Sequence, residues 1–510
     1  MSHTPKSWHI LAGAVILTIL FHKQPPGLNL WIAEFLIFGW MFLNRQIPVR
    51  KPLVPLTLAG VFFTLLATVL VHSAFSGWMH AFSLLVLAGL LSAPDLRSLA
   101  SALGTGLVNI VMAQVTFLRG IRHFRVGKKP VGSYLWKSRI FLIPLIIIII
   151  FISIYRNSSP VFDDLMEQSL GWLGERIADL FEHFNFALLG TFILCLAIAV
   201  LMMVRNPIPF ISGADQSAPD AVLRKRVRSF RKTLGMGLKN EYRAALFLLV
   251  VLNLLILILN ITDIHWVWFN FEWEGQYLKQ FVHEGTWLLI FSILISITIV
   301  LWFFRGNLNF YASNKTLRIL SYIWLLQNVI LTVSVSIRNF YYISYFSLAY
   351  KRIGVIIFLI LTLIGLITVL YKVMHKRSGF WLVRTNAVAW FVVLITSSAV
   401  PWDVYIARYN FAHAGESFVH LNFLSGLSDK ALPYLDVPLE KLQAIDKAQE
   451  GKFPFGRERR YMEPVRYREI IDLRKANFID RYESEGWLSW NLPEHLAYKA
   501  LKRPQIDLLR

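Results

Sequence analysis

Cysteine and charge are what this chain has least of. One cysteine, Cys195, stands in 510 residues, so no disulfide framework can form within the sequence. It lies inside an apolar block and reads as a small buried hydrophobe. Charged residues make up 16% of the chain, against ~25% in a soluble domain. Also missing are His-Glu-x-x-His, Gly-x-Ser-x-Gly and a phosphate-binding glycine loop. Those patterns mark zinc hydrolysis, serine-nucleophile chemistry and nucleotide binding. No cofactor and no metal is therefore assigned.

Apolar sequence takes the place of the missing charge. Hydrophobic residues are 56% of the total and mean hydropathy is +0.52. They come in blocks, several longer than the ~18 residues that mark a membrane-spanning helix. The expected fold is all-α, a polytopic transmembrane helix bundle of about eleven spans over residues 1–400. A small extramembrane α-helical tail is expected over 401–510, where leucines 421, 424, 427, 432 and 435 suggest one helix pair and Leu439, Leu442 and Ile445 another.

The net charge of +21 raises nucleic acid as a partner, and its distribution argues against it. From Trp402 onward there are 17 Lys/Arg and 16 Asp/Glu, so the excess lies earlier, in the loops between apolar blocks. That is the pattern of cytoplasmic loops facing an anionic inner leaflet. The expected partner is thus the lipid bilayer and its anionic inner-leaflet lipids. The same rule puts the N-terminus in the cytoplasm and the tail on the periplasmic side of an inner membrane.

Two segments are expected to lie at the interface. Residues 99–118 carry Ser101, Gly104, Thr105, Gly106, Asn109 and Gln114. If they crossed, the basic clusters Arg45–Lys51 and Arg119–Arg139 would fall on opposite sides, so the segment reads as interfacial or re-entrant. Residues 160–185 alternate Leu173, Ile177, Leu180, Phe181 and Phe184 with Glu175, Asp179 and Glu182 at helical spacing. That is an amphipathic helix, lying on the outer surface of the bilayer or packed against the tail.

Ionisable groups at helix ends are functional candidates. Asp263 and His265 stand in Asn260-Ile-Thr-Asp-Ile-His-Trp-Val-Trp268, and His283 and Glu284 in Phe281-Val-His-Glu-Gly-Thr-Trp287. Each pair could work as an acid and a base or offer metal ligands, or serve only as interfacial hydrogen-bonding groups. Arg338 and Arg352 lie on the expected outer side, against the positive-inside rule. They need carboxylates such as Asp263 and Glu284, or an anionic ligand. Gln327 and Asn328 fall mid-span and must find helix partners or a polar cavity. Asp403 and Arg408, five residues apart on a helix, are expected to dock the tail.

Several stretches together are similar to a known family. They are the two just quoted, Phe303-Phe-Arg-Gly-Asn-Leu-Asn-Phe-Tyr311, Trp324-Leu-Leu-Gln-Asn328, Ser336-Ile-Arg-Asn-Phe-Tyr-Tyr-Ile343 and Asp403-Val-Tyr-Ile-Ala-Arg-Tyr-Asn410. The chain resembles, over roughly residues 10 to 435, a bacterial multi-pass membrane family catalogued as a domain of unknown function, in its Bacteroidetes-type branch. The resemblance implies a membrane fold and no established activity. Many relatives have Gly-Leu-Thr where this chain has Ser347-Leu348-Ala349.

Two functions follow as expectations. One is a non-enzymatic integral inner-membrane protein, transport-like or signalling-associated, acting in the envelope. The other is a membrane-embedded enzyme acting on a lipid-linked substrate at the outer leaflet.

Overall fold

A computed structural model describes residues 7–121, 125–126, 129–130, 144, 147–148, 151–152, 154–156, 158–159, 161–167, 185–224, 237–271, 285–453 and 461–502. Among these the regular structure is helical, apart from a two-rung antiparallel ladder pairing Arg125–Val126 with Lys129–Pro130 and a single bridge between Ala221 and Arg377.

The helices run α1 (Ser7–Phe21), α2 (Leu28–Leu43), α3 (Leu53–Leu70), α4 (Ala74–Ser92) and α5 (Leu99–Ile121). Then come α6 (Phe186–Met203), α7 (Pro209–Ser217), α8 (Leu238–Asp263), α9 (Gly285–Phe303) and α10 (Asn314–Phe346). Helices α11 (Tyr350–Met374) and α12 (Gly379–Ser397) follow, and the tail holds α13 (Trp402–Ala412), α14 (Leu439–Glu450), α15 (Pro464–Ser484) and α16 (Leu492–Lys502). Nine helices among the described residues (α3–α6 and α8–α12) are long and apolar enough to cross a membrane, and α1 and α2 are shorter apolar helices. This is a multi-pass membrane protein.

By packing, the chain divides into two compact units. The first holds Met1–Pro55, Leu84–Asp95 and Ala102–Ser212. Its core sets Ile10, Ala14 and Leu17 of α1 against Cys195, Ala199, Val200 and Met203 of α6. Cys195 is buried there, as its apolar surroundings predict. The α1–α2 turn is held by Asn29, whose side chain accepts from the Gly27 N–H at 2.7 Å and donates to the carbonyls of Leu20 and Pro25.

Residues 99–118 lie within helix α5. The segment is one continuous helix of 23 residues, long and apolar enough to cross. Its glycines mark a helix crossing: a Cβ on Gly106 would sit 2.2 Å from the Leu85 carbonyl oxygen, and one on Gly89 1.9 Å from that of Ala102. Its amides bond to neighbouring chain. Asn109 donates to Ser92 Oγ and the Asn206 carbonyl, and Gln114 donates to the Ala197 carbonyl at 2.9 Å. The small and polar groups of this segment are thus close-approach and bonding groups of a packed helix. The amphipathic reading over 160–185 falls largely on residues 168–184, outside the described residues, as does most of the 140–154 block.

The second unit holds Leu56–Ser83, Leu96–Ser101 and Gly213–Arg510. One core joins α8, α9, α10, α11 and Leu382 of α12. Another joins Ile343, Leu348 and Ile353, around the α10–α11 turn, to the tail. The five leucines between 421 and 435 are all buried in that tail core. Four of them lie on single turns, Leu421–Leu424 and Leu432–Leu435, with Leu427 between the two, rather than on a helix pair. Gly426 follows the first turn, and Pro433 stands at the start of the second, where its missing N–H costs no helix bond.

Candidate functional site

The site is built on α8 and α10. Buried positions on α8 are Leu249, Asn253, Ile256, Asn260 and Asp263. On α10 they include Leu317, Ser321, Trp324, Asn328, Leu331, Val335 and Arg338. Both stripes step by four and three residues, the seam that keeps two helices in left-handed contact. The pairings rise together along both chains, so the helices run parallel. Asn253 Nδ2 donates to the Leu320 carbonyl and Asn260 Nδ2 to that of Gln327. Gln327 Nε2 donates to Asn253 Oδ1 at 2.8 Å, and Trp268 Nε1 to Ser334 Oγ at 2.8 Å.

At the end of this seam Arg338 Nη2 donates to Asp263 Oδ1 at 2.6 Å, each side chain only 5% exposed. Sequence places Asp263 where α8 changes pitch: Ile264–Phe269 continues as a π-turn. Such turns shift the helix face by one residue and recur at functional sites. Asp263 faces inward while His265 is exposed, its ring edge-on to Trp266. Two residues apart on a helix, they point to different faces, and no Asp263–His265 pair forms. His283 and Glu284 lie outside the described residues. The Arg338 guanidinium sits beside Gly285, the residue that follows them.

Gln327 and Asn328 both belong to the helix seam. Asn328 Nδ2 turns back to the Trp324 carbonyl at 2.8 Å. Among the described residues the buried oxygens Asn260 Oδ1, Gln327 Oε1 and Asn328 Oδ1 have no donor. Trp324 Nε1, on the same stripe of α10, is likewise buried without an acceptor among the described residues.

Among the described residues Arg352 meets no carboxylate. Its Nη1 donates to the carbonyls of Phe346 and Ser347, and its guanidinium lies 4.5 Å from the Tyr342 ring centroid. It caps the C-terminus of α10, where carbonyls lack helix partners. The chain leaves that helix through Ser347 at φ 65° and ψ −175°, a region close to glycine-only. The tail holds this turn. Ser347 Oγ is 2.6 Å from Ser417 Oγ and donates to the Phe418 carbonyl. Leu348 N–H donates to Asn410 Oδ1, and Asn410 Nδ2 donates back to the Leu348 carbonyl.

Asp403 anchors a second buried cluster. It accepts from the Tyr350 hydroxyl, from Ser428 Oγ at 2.5 Å and from Lys430 Nζ at 3.2 Å. Lys430 also donates to the carbonyls of Val71 and His72, each at 3.0 Å. Burial lowers the Lys430 pKa and the nearby Asp403 carboxylate pulls it back up. Arg408 is exposed and lies over the Tyr434 ring at 5.5 Å. Sequence reasoning missed Lys430, Ser428 and Tyr350. Asn253 and Asn260 were within reach of a heptad count along α8.

Among the described residues no group of three His, Cys, Asp or Glu is placed to hold a metal ion. The two clusters sit in a bundle whose long apolar helices define a multi-pass α-helical membrane protein. Residues 49–437 match the family described as Domain of unknown function (DUF4153), and the chain belongs to it. The match takes in both clusters and the α10–α11 turn. No curated protein and no solved structure matches the chain.

Proposed function

We propose that the chain is a non-enzymatic protein of the bacterial inner membrane, a transport-like or signalling-associated component of the envelope. Its N-terminus is cytoplasmic and its helical tail lies on the periplasmic side. One observation carries this reading. Asp263 and Asp403, the carboxylates at helix ends, are each closed onto a buried cation, Arg338 and Lys430. A general acid or base needs a carboxyl group within reach of substrate. These two instead tie elements of the chain together.

Two measurements test it. Asp263→Asn and Arg338→Gln should lower yield and thermal stability, with any loss of growth under envelope stress tracking the amount of folded protein. A variant that folds normally yet fails to complement a deletion would make the pair a reactive or ligand-binding site, and the outer-leaflet enzyme would become the better reading. For orientation, single cysteines at Asn422 and Ser484, both exposed, in a Cys195→Ala background should react in intact cells with an impermeant thiol reagent. Reaction only after lysis would put the tail in the cytoplasm.

A further inference from the structure

Below α10 the second unit holds a cleft of about 550 Å³. Arg224, Lys315, Arg318 and Lys376 line it together with Asn309 and Asn314, and among the described residues no Asp or Glu does. The cleft is made where the α9–α10 turn meets the α11–α12 turn. Asn309 fixes the first by donating to the carbonyls of Phe304 and Gly306, both at 2.9 Å. The second is pinned by chain 220–222: Val222 N–H donates to the Lys376 carbonyl and Ser378 N–H to that of Asp220.

The charges here are arranged against the usual preference. A helix N-terminus carries partial positive charge and favours acids in its first turn. Helix α10 has none there and has Lys315 and Arg318 instead. Like charges three residues apart on a helix repel. The acid nearest in sequence to the cleft's pinning strand, Asp220, is already taken by Arg97 at 2.6 Å and Arg384 at 3.3 Å. Asn314 is only 5% exposed and lines the cleft, yet neither its Nδ2 nor its Oδ1 has a partner among the described residues. The same holds for Arg318 Nε and Nη2.

We infer that this cleft binds a phosphate ester. Several anionic oxygens on one centre match four cations, a helix N-terminus and an unpartnered buried amide. A carboxylate offers two oxygens and one charge, too little for this donor set. The volume exceeds that of phosphate alone and leaves room for the group it esterifies. Anionic phospholipid headgroups and soluble phosphate esters share this chemistry, and the experiment separates them.

The full chain, in nanodiscs of phosphatidylcholine, is titrated in one arm with phosphatidylglycerol and in the other with glycerol 3-phosphate. Binding is read by native mass spectrometry and by the shift in apparent Tm. Wild type should bind at least one of the two. Arg318→Gln with Lys376→Gln should weaken that binding at least tenfold, while Lys441→Gln, an exposed tail residue, should leave it unchanged. Lipid binding alone identifies a headgroup site, and soluble-ester binding alone a site for a soluble ligand. Asn314→Asp supplies the missing negative charge. It should raise the apparent Tm of the unliganded protein and abolish binding. Failure of wild type to bind either probe, or equal binding by the double variant, overturns the inference.

Discussion

Lys430 Nζ stands 3.2 Å from Asp403 Oδ2 and reaches back to the carbonyls of Val71 and His72, more than 350 residues earlier in the chain. One ammonium therefore joins three pieces of the second unit: the α3–α4 turn, the start of α13, and the turn before Leu432. Its side chain is 2% exposed, so desolvation is severe and only full pairing sustains the charge.

Removing one partner of this pair should be costly. Asp403→Asn leaves Lys430 buried without its counter-charge, and Lys430→Met leaves Asp403 with Ser428 and Tyr350 alone. Each is expected to destabilise by about 3–5 kcal/mol. The double variant should cost clearly less than the sum, because no unpaired charge remains. Thermal unfolding in detergent of the four proteins measures this, and strict additivity would refute a direct pair.

The turn beside Lys430 gives a pH dependence. Burial holds the pKa of His72 below its usual 6.5, with Lys430 and Arg481 pushing it further down and Glu494 opposing them. The unfolded chain therefore takes up a proton more readily than the folded one. Stability is fully present above 6.5 and falls as the pH drops from 6.5 through the depressed folded value. His72 sits at φ 47°, so asparagine, which tolerates that backbone, is the informative replacement. His72→Asn should flatten the acid limb of the stability curve between pH 7 and 5. An unchanged limb would assign the acid sensitivity to another group.

Ser347 combines backbone strain with two hydroxyl contacts. Its φ of 65° costs on the order of 1–3 kcal/mol for a residue with a Cβ. Ser347→Ala keeps that strain and loses the bonds to Ser417 and Phe418. Ser347→Gly loses the same bonds and relieves the strain. Glycine should therefore be the more stable by ~1 kcal/mol or more. The Gly-Leu-Thr of many relatives fits this turn for the same reason. Asn410→Ala, which strips both bonds from Leu348, should be worse than either. Ranking the three by chemical denaturation checks the order.

Much of this was legible in the sequence, and for identifiable reasons. Long apolar blocks leave a chain few alternatives to helices in a membrane, because every backbone polar group must be paired internally. Asp263, Arg338, Gln327 and Asn328 stand out as polar residues at helix ends or mid-span. Which group meets which is another matter. Asp263 and Arg338 are 75 residues apart, and their pairing depends on α8 and α10 running parallel in one heptad register. Lys430 follows Ser428 and Asp429 and reads as a solvated turn, since carbonyls that bury its ammonium leave no local trace. The basic cleft escaped notice because its cations come from three separate stretches of chain: the segment ending at Arg224, the start of α10 and the α11–α12 turn.

Helix α5 carries a packing relationship that can be tested. Its Gly106 and the facing Gly89 of α4 are where two backbones touch. A methyl group at either position meets a carbonyl oxygen at 2.2 Å or less, and backbone cannot swing aside as a side chain can. Alanine in a helix interior is otherwise favoured over glycine by ~1 kcal/mol. At Gly365 of α11 nothing lies within 4 Å of an added Cβ, so Gly365→Ala should be neutral or slightly stabilising. Gly89→Ala and Gly106→Ala should reverse the sign and destabilise by about 1–3 kcal/mol, the usual cost of overpacking. Gly106→Ala would also weaken the Asn109 bonds to Ser92 and Asn206, because helices forced apart at residue 106 separate one turn on. Thermal melts of the three alanine variants decide the matter: if Gly106→Ala melts with Gly365→Ala, the α4–α5 crossing is looser than its geometry demands.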